Sequence, residues 1–149
     1  MKTIVWKGYK NMKIVMKDEG FKHFSKKDIY DWEEILGIIE EMEDEIESLK
    51  KSAKNIRQNI LKMIHSAKSG HPGGSLSGAD ILTVLYLKSL NIPIDWEKNS
   101  NFEKRDRFIL SKGHASPLLY ATLAEKGLIS KEELLTFRKT NSKLQGHPS

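Results

Sequence analysis

The chain has 149 residues and a mass of 17.1 kDa, which is enough for one domain with its own core and too little for two ordinary ones. It is 38% hydrophobic and 30% charged, and no apolar run approaches the ~20 residues that a membrane-spanning helix needs. Cysteine is absent, which excludes disulfides and thiolate metal sites, and the lysine-interrupted start lacks the apolar core of a signal peptide. We therefore expect a cytoplasmic protein that does not engage a membrane.

Charge is divided unevenly along the first 47 residues. Residues 1–27 contain eight lysines and two acids, whereas residues 28–47 contain ten acids and neither Lys nor Arg. Such neighbouring blocks are usually solvated, so we predict a basic arm over residues 1–27 next to an acidic helix face. A nucleic-acid-binding arm is the alternative, but the interleaved aromatic residues that would stack on bases are missing.

Apolar periodicity predicts a long helix after the basic arm. The motif SKKD at residues 25–28 resembles a capping box, and acids crowd the following turn, where a helix N-terminus favours negative charge. Apolar residues then recur in steps of three and four over residues 35–64, which predicts one amphipathic helix or two helices joined at Gly37. We expect the helical pattern to stop at Gly70.

A glycine-rich segment, SAKSGHPGGSLSGADIL at residues 66–82, follows this helix. Its four glycines allow the backbone to approach a neighbouring group closely. A second helix is predicted to begin after Ser75 or Ser77, with the motif SGAD at residues 77–80 as a capping box. Its sequence is apolar nearly all round, which predicts that it is buried.

The C-terminal part contains the one clear predicted β-strand, RFILS at residues 107–111, which is short, apolar and bounded by charge. The pair SP at residues 116–117 predicts the start of a helix that ends at Gly127. Ser130 is predicted to cap a further short helix that reaches Arg138. Since a lone strand cannot satisfy its own hydrogen-bonding groups, we interpret the chain as a mostly helical piece of an α/β domain.

Three histidines share an unusual context. His71, His114 and His147 each follow a glycine in a loop at the end of a regular element, and two of them precede proline. Imidazole can donate to a phosphate oxygen or move protons near neutral pH, which makes the three residues candidates for binding and catalysis. Taken singly, each could be an ordinary turn residue. A zinc site is disfavoured because the separations of 43 and 33 residues match no local metal motif.

Three segments together resemble one family. AKSGHPGGSLSGADIL, RDRFILSKGHASPLLYATLAEKG and LQGHPS are similar, in this order, to the opening part of transketolases, in the form whose thiamine-binding half is a separate N-terminal subunit. The resemblance extends from about residue 56 to residue 149. It implies that residues 28–149 are the N-terminal portion of a three-layer α/β domain that binds thiamine diphosphate.

The resemblance also implies a reaction and a set of roles. A two-carbon ketol unit would pass from a ketose phosphate to an aldose phosphate, with thiamine diphosphate as cofactor, in the pentose phosphate pathway. His71 would be catalytic and would bind the sugar substrate. His114 would bind the cofactor's diphosphate, and His147 would act both in catalysis and in cofactor binding.

Two departures from the family pattern qualify this interpretation. The family binds Mg²⁺ through a Gly-Asp-Gly motif and a later Asn, whereas this chain has no Gly-Asp pair. The glutamate that activates the cofactor belongs to the other half of the enzyme. We therefore expect the chain to be inactive alone and to need a C-terminal transketolase subunit, or the remainder of the enzyme, in a homo- or hetero-oligomer. The alternatives are a thiamine enzyme of the deoxyxylulose phosphate synthase type and a truncated gene product that serves at most as an interaction module.

Overall fold

The structure, a computed structural model, describes residues 32–94 and 105–148, with side chains from residue 36 onward. The basic arm predicted over residues 1–27 and the predicted capping box at residues 25–28 lie outside these ranges. The chain divides into two compact units, Met1–Glu41 and Met42–Ser149, and the second contains all the candidate site residues.

The long helix predicted from apolar periodicity is confirmed as α1, Trp32–Ala67, which is continuous through Gly37. Its C-terminal half buries the apolar stripe that the sequence indicates, including Ile56, Ile60 and Met63. The helix ends in a Schellman motif: the amide of Ser69 donates to the carbonyl of Ile64, and Lys68 adopts a left-handed conformation with φ of 51°. The end of α1 therefore lies close to the predicted one.

The glycine-rich segment forms a short helix that was not predicted, and the predicted second helix follows it, starting after Ser77 as expected. Helix α2, Pro72–Leu76, starts with proline at its first position, where no backbone N–H is needed. Helix α3, Ala79–Val84, continues into a π-helical turn, Leu85–Ser89. The predicted capping box at residues 77–80 is wrong, because Gly78 is the N-cap of α3 and the hydroxyl of Ser77 donates to the carbonyl of Gly74 instead.

The C-terminal helices follow the sequence signals more closely. Helix α4, Ser116–Lys126, follows a 3₁₀ turn, Gly113–Ala115, and ends at Gly127, which has the predicted left-handed conformation with φ of 85°. The hydroxyl of Ser130 accepts a hydrogen bond from the amide of Glu133, the contact expected of the predicted cap, although Glu132 is the N-cap of the element itself. The capped element is a 3₁₀ turn, Glu133–Thr136, and does not extend to Arg138 as predicted.

The strand predicted over residues 107–111 is not present. Neither of the described ranges contains a β-strand, and Ile109 is 87% exposed. The segment is attached at its start, where the amide of Asp106 donates to the carbonyl of Asn91. A strand forms only when a neighbouring strand accepts its ladder hydrogen bonds, and no segment of the described ranges does so. The described structure is thus mostly helical.

The core lies between the C-terminal half of α1 and the helices α3 and α4. Ile56 and Ile60 of α1 belong to the same buried cluster as Leu82 of α3 and Leu118 of α4. The cluster is extended by Phe137 and the other buried residues that follow α4, Leu134 and Leu144. In the described ranges, no helix is long and apolar enough to cross a membrane.

Replacing a core side chain of α1 tests this packing. We expect Ile60→Ala to lower the free energy of unfolding by about 2–5 kcal/mol, because Ile60 has no exposed surface and its removal leaves a cavity. Leu61→Ala is the matched control, since Leu61 is 49% exposed on the same helix, and we expect it to cost about 0.5 kcal/mol or less. Urea denaturation measures both, and equal losses would contradict this assignment of the buried face.

Candidate active site

The first candidate histidine, His71, lies where the glycine-rich loop enters α2. Its carbonyl accepts a hydrogen bond from the amide of Ser75 at 3.1 Å, so its backbone forms the N-cap of the helix. The imidazole makes no capping hydrogen bond and is exposed. The helix thus fixes the backbone of His71 and leaves its ring free to contact another group.

The structure brings His71 and His114 together. Their rings meet edge to face, with centroids 5.2 Å apart and planes at 70°. His114 lies in the 3₁₀ turn before α4, where the amide of Ala115 donates to the carbonyl of Lys112. Two residues separated by 43 positions in the chain therefore present their imidazoles at one place.

Glycine at position 74 allows this approach. A Cβ atom on Gly74 would lie 3.1 Å from Nε2 of His114, closer than nearly all real contacts. The ammonium of Lys112 joins the same two segments, since its Nζ donates to the carbonyl of Gly74 at 2.9 Å and to the hydroxyl of Ser77 at 3.3 Å. The α2 turn and the His114 turn are thus connected by direct side-chain contacts.

The third candidate, His147, packs against the turn that holds His114. A Cβ atom on Gly113 would lie only 2.9 Å from Cδ2 of the His147 ring. Two side chains of α4 fix the preceding backbone: the hydroxyl of Ser116 donates to the carbonyl of Gly146 at 2.7 Å, and that of Tyr120 donates to the carbonyl of Gln145 at 3.0 Å. Burial raises the pKa of the Tyr120 phenol, and its hydrogen bond to the carbonyl of Gln145 lowers it by less.

Arg138 connects the loop of His147 to the loop of His71. Its guanidinium donates to the hydroxyl of Ser69 and packs so closely on Gly146 that a Cβ there would lie 2.6 Å from Nη2. Its amide donates to the carbonyl of Leu144, and its φ of 58° is left-handed. Sequence reasoning missed both Arg138 and Lys112 as site residues. Lys112 lies two residues before His114 in the segment RDRFILSKGHASPLLYATLAEKG, so its position in the sequence could have indicated a site residue. No local sequence feature indicates that Arg138 belongs to the site.

The site carries positive charge without a carboxylate partner. In the part of the chain that the structure describes, neither Lys112 nor Arg138 forms an ion pair with an acid. The hydroxyl of Ser75, on α2, is buried and has no hydrogen-bond partner among the described residues. Cationic and N–H donors of this kind suit a phosphate or diphosphate group.

A metal ion in a protein requires several side-chain ligands close together. Within residues 32–94 and 105–148, no group of three or more His, Asp and Glu side chains is arranged to hold one. The described residues therefore present no ligand set of this kind for Mg²⁺.

These loops form a glycine-rich cluster that contains three imidazoles and two cationic side chains. The family model described as "Transketolase, thiamine diphosphate binding domain" matches residues 48–149. The chain belongs to the transketolase family, through its thiamine diphosphate-binding domain.

Individual relatives agree with this assignment. The chain is 39% identical over 106 residues to human transketolase, an alignment that covers 71% of this chain and 16% of that protein. It is 38% identical over 105 residues to one subunit of the apulose-4-phosphate transketolase of Phocaeicola vulgatus, covering 70% and 36% of the two chains. It is 44% identical over 102 residues to the transketolase of Buchnera aphidicola, covering 68% and 15%. The chain therefore matches between a seventh and about a third of the length of these relatives.

Substitution of Gly113 tests the packing of His147. We expect Gly113→Ala to displace the His147 ring, because the new methyl group would lie 2.9 Å from its Cδ2 atom. Gly73→Ala is the control, since a Cβ there has nothing within 4 Å. The ¹H–¹³C correlation of the His147 ring should shift in the first variant only. An unchanged His147 signal in Gly113→Ala would show that the ring does not occupy this position.

Proposed function

We propose that this chain supplies one wall of a transketolase-type active site, in which a two-carbon ketol unit passes from a ketose phosphate to an aldose phosphate with thiamine diphosphate as cofactor. The observation that carries the proposal is the edge-to-face contact of His71 and His114 at 5.2 Å, with His147 packed on the same turn. The His71 and His114 imidazoles meet, the His147 ring packs on Gly113 next to His114, and the nearby Lys112 and Arg138 have no carboxylate partner in the described ranges. Family membership supports the choice of cofactor.

Each group has a role that suits its chemistry. When bound, thiamine diphosphate supplies the electron sink that stabilises a carbanion during transfer. His114 binds the diphosphate as an N–H donor, and the ammonium of Lys112 adds charge that favours the anion. His71 binds a hydroxyl or carbonyl of the sugar and moves a proton there, and His147 holds a hydroxyl of the donor sugar beside the cofactor.

The rest of the site comes from another polypeptide or from the remainder of the enzyme. The split arrangement is supported by the relative from Phocaeicola vulgatus, which is itself named as one subunit of a transketolase. The missing part would contribute the Mg²⁺ ligands and the glutamate that activates the cofactor. It would also pair with residues 107–111 as a strand, completing a three-layer α/β domain, which the exposed Ile109 supports. We place the resulting enzyme in the cytoplasm and in the pentose phosphate pathway.

Alanine variants of the loop histidines test the proposed roles. In the assembly reconstituted with a C-terminal transketolase subunit, we expect His71→Ala and His114→Ala each to lower turnover by about 10²-fold or more. Because both imidazoles are exposed, unfolding midpoints should change little.

His65→Ala is the matched control, since His65 is an exposed histidine on α1 without a glycine-rich loop. It should keep full turnover. If the loop variants lose activity only in proportion to their loss of folded protein, the histidines serve the scaffold and the proposal fails.

Cofactor affinity of the chain by itself is a second test. We expect isothermal titration with thiamine diphosphate and Mg²⁺ to give only weak binding, because a diphosphate without a fixed divalent cation keeps much of its charge uncompensated. Adding the C-terminal subunit should strengthen the binding. Micromolar affinity of the isolated chain would contradict the proposal that this chain supplies only one wall of the cofactor site.

A further inference from the structure

A cavity with a volume of about 410 Å³ lies beside the π-helical turn Leu85–Ser89, the segment that contains Phe108, and the residues that follow α4. None of the described residues that line it belongs to the site formed by the three histidines. The volume falls within the range of about 300–1,000 Å³ that small-molecule sites occupy. Much of the wall is apolar and consists of Ile92, Phe108, Leu123, Leu128 and Ile129.

A buried phenol also lines this cavity. Tyr86 is only 4% exposed, and its ring meets that of Phe108 edge to face, with centroids 5.5 Å apart and planes at 72°. Its hydroxyl has no hydrogen-bond partner among the described residues. Buried phenols usually have such a partner. The hydroxyl of Tyr86 is therefore a polar group whose partner must come from elsewhere.

Tyr120 shows the usual arrangement in the same chain. It is buried to a similar degree, with 6% of its surface exposed, and its hydroxyl donates to the carbonyl of Gln145 at 3.0 Å. Burial raises the pKa of both phenols, but only that of Tyr120 is also lowered by a hydrogen bond. The difference between the two tyrosines is thus the missing partner of Tyr86.

The wall of the cavity is held in place by backbone contacts. The amide of Asp106 donates to the carbonyl of Asn91 at 3.0 Å, and the amide of Asn91 donates to Oδ2 of Asp106 at 2.8 Å. These two hydrogen bonds join the segments that carry Ile92 and Phe108. The cavity is therefore formed before any ligand enters it.

The charged residues of the wall balance one another. Two are cations and two are acids, namely Arg105, Lys143, Asp106 and Glu133. A wall without net charge does not favour an anion or a cation, whereas the apolar side chains favour an apolar body. The lining therefore suits an uncharged molecule.

We propose that this cavity binds a small, uncharged molecule that has an aromatic ring and one hydrogen-bonding group. The ring would pack on the apolar side chains and on Phe108, since aromatic rings pack well edge to face or offset. The polar group would pair with the hydroxyl of Tyr86, which can either donate or accept. A cavity of about 150 Å³ is enough for benzene, so this one has room for a bicyclic ring.

Titration of the full chain with indole, followed by NMR, tests the proposal. Indole is an uncharged bicyclic ring with one N–H donor, and we expect it to bind with a dissociation constant of about 1 mM or lower. The shifts should centre on Tyr86, Phe108 and Leu128 and leave the rings of His71 and His114 unchanged. N-methylindole has no N–H donor, and we expect its affinity to be about threefold lower or more.

Tyr86→Phe removes only the hydroxyl. It should weaken indole binding about three- to tenfold and leave the affinity for N-methylindole unchanged. In the absence of indole its urea midpoint should stay the same or rise, because no hydrogen bond is lost. Tyr120→Phe is the matched control: it loses the hydrogen bond to Gln145, so its midpoint should fall while its affinity for indole is kept.

Four results would overturn the inference. The first is the absence of a saturable shift of the lining residues at millimolar indole. The second is equal weakening of both probes by Tyr86→Phe, or equal affinity of the wild type for both. The third is a lower urea midpoint for Tyr86→Phe, which would mean that the hydroxyl already has a partner in the chain or in bound water. The fourth is loss of indole binding when a C-terminal transketolase subunit is added, which would assign the cavity to a side chain of that subunit.

Discussion

Close approach at three glycines holds the candidate site together. Gly74 receives the ring of His114, Gly113 receives the ring of His147, and Gly146 receives the guanidinium of Arg138. In each case a Cβ atom would lie 2.6–3.1 Å from the incoming side chain, so any other residue would force a movement. Arg138 closes the ring of contacts by donating to Ser69 in the loop before His71. The loops of the site therefore pack closely on one another because these glycines have no side chains.

The interlocked loops depend in turn on two polar side chains of α4. Ser116 and Tyr120 of α4 donate to two consecutive carbonyls of the His147 loop, while the apolar residues of the same helix enter the core. Because α4 is packed on α1 and α3, it carries the rigidity of the core to a segment without regular structure. Lys112 does the same for the α2 turn through its contacts with Gly74 and Ser77. Positioned loops on a rigid scaffold are the usual carriers of binding and catalysis.

Within the described residues, two of the exposed apolar segments differ in where they lie relative to the family match. The segment that contains Ile109 lies inside the region that matches the transketolase family, so its cover belongs to the rest of that domain in our proposal. The exposed stripe that starts at Met42 begins before that region. An extended segment finds its hydrogen-bond partners only in a neighbouring strand.

Features that depend only on neighbouring residues could be predicted from the sequence. The apolar spacing of α1, the left-handed Gly127 and the Ser130 cap each depend on residues within one or two turns, so local chemistry determined them. The order of the three glycine–histidine motifs predicts the family from the sequence alone, and the match of the family model to residues 48–149 confirms it. Recognising such motifs does not require knowledge of how the chain packs.

Tertiary structure decided what depends on distant partners. The strand predicted at residues 107–111 is absent since a strand exists only beside another, and the sequence of one segment cannot supply its neighbour. Ser77 and Ser116 are both predicted as helix caps from the local sequence. In the structure, the two serine hydroxyls donate instead to the backbone carbonyls of Gly74 and Gly146. The contributions of Lys112 and Arg138 were settled in the same way, because the contacts that join separate loops form only once the core has brought those loops together.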